Sequence, residues 1–310
     1  MNPTTLVPGA RLARRQAMQS FLGVSPALAA IGLFLILPIL IVVAYSLMEA
    51  NPYGGVNRVF STESYLSLLF ERQLDDSLAF ADSYLVIALR SVGIAAATTL
   101  ITLLVGFPVA VWLAMQPAHR RGLLIFLITV PFWANLLIRT YAWILLLRGS
   151  GVVNGGLMGL GLIDQPLQLL YTDGAVLLGL VYTYAPFVVL PIYACLEKMD
   201  MRLLEAAQDL YAGRWRTLRK VVLPIARPGI LAGAILTFVP CLGAMIAPEL
   251  LGGGTRMMLG NLIFRQFSDA RNWPFGAALS LVLMAAVMLV LTLYALRAER
   301  QRQRQARGGV

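Results

Sequence analysis

Charge is scarce in this chain of 310 residues: Asp, Glu, Lys and Arg make up only 13% of it, against about 25% in an ordinary soluble domain. Histidine occurs once, at His119, and cysteine twice, at Cys195 and Cys241. Each shortage excludes a class. So few charged groups cannot cover a water-facing surface of this size, which excludes a soluble globular fold and, with it, a disordered chain. A lone histidine and two cysteines without CxxC spacing offer no metal or redox cluster and no disulfide framework, and both cysteines read as packing thiols in apolar stretches. No GxxxxGK[ST] phosphate loop is present. GLGLID (159–164) follows no polar strand, and LGGG (251–254) reads as a flexible turn. ATP hydrolysis, enzyme chemistry and a bound cofactor are therefore not expected of this chain.

What is abundant is apolar: 59% of residues, with a mean hydropathy of +0.76. The solvent for such a surface is lipid. Six segments approach or exceed the roughly 20 helical residues that cross a hydrocarbon core: 21–47, 84–115, 122–147, 174–196, 229–248 and 276–297. The first follows Arg11, Arg14 and Arg15, like the start of a signal peptide. Its apolar run continues from Phe21 to Leu47, far past a signal peptide's core of about 7–15 residues, and predicts an uncleaved helix.

The net charge of +10 raises nucleic acid as a partner, but the basic residues form short clusters between apolar runs, so none is expected and membrane lipid is. Lys and Arg concentrate in the N-terminus, the 116–121 turn, the 197–228 loop and the C-terminal Arg300, Arg302, Arg304 and Arg307. The opposite loops hold only Arg58, Arg72, Arg148, Arg256, Arg265 and Arg271. The positive-inside rule then places both termini in the cytoplasm. The expected organisation is a cytoplasmic segment 1–20, a six-helix domain 21–297 and a basic cytoplasmic tail 298–310. Pro38, Pro108, Pro131, Pro186, Pro191, Pro240 and Pro248 punctuate the helices, which suits either packing or rearrangement around a pathway.

The loop 197–228 is too structured for a connector. MRLLEAAQDL (201–210) reads as a short helix with Leu203, Ala207 and Leu210 on one face and Asp200 capping its start. Gly213 interrupts it, a basic stretch RWRTLRKVV follows and ends at Leu223–Pro224, and Pro228–Gly229 marks entry to the next span. Small Ala206 and Ala207 beside Glu205 permit close approach to another protein. An amphipathic helix resting on headgroups fits the same pattern.

Glu205-Ala206-Ala207, with Pro224 nineteen residues after Glu205 in VVLP, resembles the EAA loop of permease subunits of bacterial ABC importers. PFWANLLIRTYAW (131–143), GLIDQPL (161–167), LVYTYAPFVVLPIY (180–193), PELLGG (248–253) and IFRQFSDARNWPFGAA (263–278) resemble the spermidine/putrescine permeases. The likeness covers roughly residues 30–295. It implies an all-α integral membrane protein with six transmembrane helices and a cytoplasmic coupling-helix loop, the type I ABC importer permease fold. It also implies the partners: a second homologous permease subunit, two ATP-binding subunits and a periplasmic substrate-binding protein. By the same resemblance Glu205, Ala206, Ala207 and Asp209 couple to the ATPase. The family's usual glycine, six residues after the Glu, is Tyr211 here, and Gly213 lies two positions later. Either the turn moves to Gly213 or the contact surface differs.

A polyamine pathway calls for carboxylates and aromatic faces, since alkylammonium groups favour cation–π contact. The candidates are Trp133, Tyr141, Trp143, Tyr182, Tyr184 and the acid Glu249, with interfacial belts or packing as the alternative for each aromatic. The outer loops hold ten acids against six bases, Asp75, Asp76 and Asp82 among them. That imbalance fits cation concentration or the positive-inside rule alone. A charge inside the bilayer costs at least about 2.5–3.5 kcal/mol, which singles out two arginines. Arg90 is expected to snorkel to the interface. Arg139, deeper, is expected to pair within the protein, with solute contact as the alternative. The competing readings are an importer of another small organic solute and a non-transporting membrane scaffold; a membrane enzyme lacks any clustered catalytic groups.

Overall fold

A computed structural model of the chain describes residues 8–72, 78–80 and 82–307. In order these form α1 (Pro8–Ser46), β1 (Met48–Ala50), β2 (Val56–Phe60), α2 (Glu63–Leu66), β3 (Phe70–Arg72), β4 (Leu78–Phe80), α3 (Asp82–Ala114), α4 (Ala118–Trp133), α5 (Leu136–Leu147) and α6 (Val152–Gly159). There follow α7 (Asp173–Leu196), α8 (Arg202–Asp209), α9 (Arg214–Thr217), a π-helical turn (Leu218–Val222), α10 (Leu223–Leu242), α11 (Ile246–Leu251), α12 (Leu259–Ser268) and α13 (Trp273–Arg307). Two two-stranded antiparallel hairpins, β1–β2 and β3–β4, are added to the helices.

Six helical stretches are long and apolar enough to cross a membrane: Gly23–Ser46, Asp82–Ala114, Leu136–Gly159, Asp173–Leu196, Arg214–Leu242 and Trp273–Arg297. The third and fifth differ from a plain reading of the apolar runs. The run 122–147 breaks into α4 and α5, because Ala134 is extended and the Asn135 side chain accepts the Leu137 N–H at 2.8 Å, starting a new helix. The run 229–248 ends at Leu242, and α11 begins after Gly243. Toward its start the fifth span is longer than expected: Pro224 does not end the basic stretch. The chain stays helical from Arg214 through the π turn into α10, where Pro224 sits in the first turn. A proline ring crowds the carbonyl four residues back. The wider turn beforehand, with the Leu223 N–H reaching the Leu218 carbonyl, relieves that clash.

The chain divides into two compact units. The first joins residues before 69 to those from 269 on. In it α1 packs along α13, the Tyr45 and Trp273 rings lie 6.1 Å apart, and the Asn272 side chain caps α13 by accepting the Phe275 N–H. The N-terminal segment expected as 1–20 is already helical from Pro8, and α13 continues through Arg307 where a tail was expected.

The second unit, residues 69–268, is built on α3, α7 and α10. Lipid supplies no hydrophobic drive between helices, so close packing of small residues must hold them together. A Cβ on Gly229 of α10 would stand 2.5 Å from the Pro191 carbonyl oxygen of α7, and one on Gly106 of α3 would stand 2.9 Å from Val188 Cγ1. Only glycine allows these approaches. Two buried hydroxyls on α3 are satisfied locally: Thr99 donates to the Ala95 carbonyl at 2.7 Å and Thr102 to that of Thr98 at 2.6 Å. The core at one end gathers Leu113, Val188, Ile192, Leu196 and Val222. Cys241 is buried and Cys195 half-buried, both as free thiols.

Candidate functional site

The helix expected in the 197–228 loop forms as α8. The Asp200 carboxylate accepts the Arg202 N–H at 3.0 Å and so caps its first turn. Its inward face is not the one expected. Leu204 and Ala207 turn in, Leu204 packing against the core at the ends of α3 and α7, whereas Leu203 and Leu210 are exposed. A helix this short contacts the bundle along one narrow stripe, and spacing of three residues selects Leu204 with Ala207. Glu205, Ala206 and Asp209 are left exposed, the two acids one helical turn apart. Beside them a groove of about 610 Å³ runs between Met115, Leu204, Gln208, Trp215 and Val222.

The turn that ends α8 does not move to Gly213. Tyr211 adopts φ +53°, its N–H bonding the Gln208 carbonyl at 2.8 Å, while the Ala212 N–H reaches back to Ala207 at 2.9 Å. This is a Schellman closure with tyrosine at the left-handed position where glycine costs nothing. The Tyr211 ring is 96% exposed. Gly213 has φ −60° and ψ 157°, a conformation open to any residue, and caps α9.

The candidate pathway residues do not converge. Trp143 of α5 and Tyr182 of α7 pack edge to face at 5.6 Å. Tyr184 instead meets Phe187, which stands edge-on to Phe132 at 5.3 Å. Phe132 and Phe187 thus form an aromatic cluster that sequence reasoning missed; the signal was PFW and APF beside helix-breaking prolines. Trp133, 83% exposed at the end of α4, and Tyr141 make no ring contact among the described residues. Asp75 and Asp76 lie outside the described residues, and Asp82 is exposed at the start of α3.

Glu249 is held within the chain. Its carboxylate accepts from Arg265 Nη2 at 2.6 Å and from Asn261 Nδ2 at 3.0 Å, and the fully buried Asn261 also accepts the Met258 N–H at 2.6 Å. The hydrogen bond from the Arg265 guanidinium holds the Glu249 carboxyl below its ordinary range, against an opposing push from partial burial. Arg90 does not simply snorkel. It pairs with Asp173 in the first turn of α7, and Arg256 lies 3.8 Å from the same carboxylate. The positive end of the α7 dipole favours an acid there, and the acid draws the arginine. Arg139 departs from expectation in the opposite way. No carboxylate pairs with it among the described residues, its Nε is buried without a hydrogen-bond partner, and its guanidinium stands 5.9 Å over the Phe132 ring. The break between α4 and α5 sets it beside aromatics rather than acids.

The family model described as "Binding-protein-dependent transport system inner membrane component" matches residues 85–305. The chain belongs to that family. It is a transmembrane permease subunit of a binding-protein-dependent ABC importer, a multi-pass protein of the inner membrane. The permease is 39% identical over 262 residues to the spermidine/putrescine transport system permease protein PotB of Escherichia coli K12, covering 84% of this chain and 91% of that one. It is 36% identical over 261 residues to the protein of the same description from Haemophilus influenzae, covering 84% and 87%. Among solved structures it is similar to a chain of a bacterial alginate ABC transporter in complex with an alginate pentasaccharide-bound periplasmic protein. There the TM-score is 0.72 and the identity 16%, with 94% of this permease and 96% of that chain covered. That likeness speaks for the fold alone.

Proposed function

We propose that this permease forms half of the translocation pathway of a polyamine importer, with spermidine or putrescine as solute. A second homologous permease completes the pathway, a periplasmic binding protein delivers the solute, and two separate ATPase subunits drive the cycle. The substrate reading rests on likeness to the spermidine/putrescine permeases across 84% of the chain. The coupling reading rests on the outward face of α8, where Glu205, Ala206 and Asp209 stand exposed on a helix seated by Leu204 and Ala207 on the ends of α3 and α7. ATP-driven closure of the ATPase pair moves α8, and α8 moves the helices it rests on. Each ligand state favours one conformation through differential contacts. Both termini, the 116–121 turn and α8 lie on the cytoplasmic side, as the clustering of Lys and Arg supports. No cofactor is assigned to this chain.

The test is uptake of labelled spermidine and putrescine in cells without their own polyamine importers. This permease is co-expressed with its companion permease, ATPase and binding protein, beside an ATPase-dead control. ATP-dependent accumulation is expected. An assembled complex that accumulates neither compound overturns the polyamine assignment and leaves the importer architecture standing.

A further inference from the structure

Arg139 carries a charge that no described residue balances. It lies in the first turn of α5, inside the span Leu136–Gly159. Its Nε is buried without a hydrogen-bond partner, its guanidinium carbon lies 5.9 Å from the centre of the Phe132 ring, and no carboxylate pairs with it among the described residues. Three other arginines beside the spans have acids: Arg90 and Arg256 share Asp173, and Arg265 holds Glu249.

No further acid is at hand. Between Asp82 and Asp164, between Asp173 and Glu197, and between Asp209 and Glu249 the sequence contains no Asp or Glu at all. Each of those stretches contains a span, and the one acid of α11, the short helix packed on α5, is Glu249, which Arg265 already holds. Proximity to the start of α5 sharpens the demand, because the unpaired N–H groups there add positive potential to that of the guanidinium. Acyl chains supply no anion, and the Arg139 Nε is buried rather than open to solvent. The surface around it stands bare: Trp133, Ile138 and Tyr141 are all exposed. A bare face with an unmatched cation fits a partner that brings apolar surface and one negative charge.

We propose that the second permease subunit docks on this α4–α5 face and supplies from one of its membrane helices the carboxylate that pairs with Arg139. The choice of protein over solute rests on the polyamine reading above, since a polycation is repelled by Arg139 and carries no anion to offer it. The pair fixes the register of the two permeases, and it removes a positive barrier that an uncompensated arginine sets against a cationic solute.

The experiment isolates the tagged permease in mild detergent from cells expressing the whole importer. It measures the second permease recovered per tagged chain for wild type, Arg139→Lys and Arg139→Met, with polyamine uptake in the same cells. Lysine keeps the charge and is expected to retain recovery within about threefold. Methionine keeps the stem without the charge and is expected to lose about tenfold or more in recovery. Wild-type recovery with Arg139→Met overturns the inference, whether uptake is lost, which assigns the charge to the solute, or kept, which leaves it idle. Suppressors of Arg139→Glu, selected for growth on limiting polyamine, are expected at an acidic residue of a membrane helix in the second permease, changed to Lys or Arg. Suppressors confined to this chain overturn the inference even if the methionine variant fails to reach the membrane. A wild-type complex that assembles without taking up polyamine refutes the solute reading instead, and the recovery ratios still decide the pairing.

Discussion

Tyr211 makes the left-handed turn at the end of α8, at φ +53°, and Gly213 two residues later does not, at φ −60°. Side chains in that region cost roughly 1–2 kcal/mol relative to glycine, offset in part by the freedom glycine has in the unfolded chain. Tyr211→Gly is therefore expected to leave thermal stability in detergent unchanged or raise it by up to about 1 kcal/mol. Gly213→Ala, whose Cβ meets nothing within 4 Å, is expected to change it by less than about 0.5 kcal/mol. A marked loss with Gly213→Ala puts the turn back at Gly213.

Glu205 is exposed on α8, and its replacement disturbs no packing inside the chain. Glu205→Arg is expected to cut ATP-driven uptake at least about tenfold, equivalent to roughly 1.4 kcal/mol of lost coupling, with normal amounts of protein in the membrane. Co-purification of the ATPase with the variant should fall in step. Wild-type uptake by Glu205→Arg refutes the assignment of α8 as the coupling helix.

Glu249 titrates below its ordinary range. Arg265 holds its carboxyl below the ordinary value, so its contribution to stability is complete above about pH 4.3, the value in an unfolded chain. It is lost as pH falls through the lower folded value. Melting of the purified permease followed downward from pH 7 should show an acid-induced loss that Glu249→Gln makes shallower. Arg265→Met, which strands the carboxylate, is expected to cost about 1–3 kcal/mol at neutral pH.

Gly229 tests the packing. A methyl group there meets the backbone of Pro191 and Ile192 rather than a movable side chain, so Gly229→Ala is expected to destabilise by about 1–3 kcal/mol. Gly122→Ala on α4, with nothing within 4 Å of its Cβ, is the control and should be neutral or mildly stabilising. Thermal midpoints of the two variants in the same detergent decide the matter.

Much of the architecture was legible without coordinates. The six spans, the helix at 201–210 and its Asp200 cap follow from hydropathy, periodicity and local hydrogen-bonding capacity, all properties of neighbouring residues. Errors arose where a local rule met a tertiary demand. Pro224 reads as a stop, yet the chain stays helical into α10 because a π turn absorbs the ring. Leu203 and Leu210 read as an inner face, yet the ends of α3 and α7 receive Leu204 and Ala207.

By itself the sequence determined that this chain lives in lipid, how often it crosses, and that the loop 197–228 carries a short helix. Those outcomes depend on sums over short windows: apolar length, charge density and helical periodicity. Only the tertiary structure decided which charges are matched. Arg90 finds Asp173 eighty-three positions along the chain, Glu249 finds Arg265 sixteen positions along, and Arg139 finds Phe132. The strength of an ion pair falls off over a few ångströms and with the polarity around it. Such pairing is set by how helices meet in space, which sequence distance does not measure.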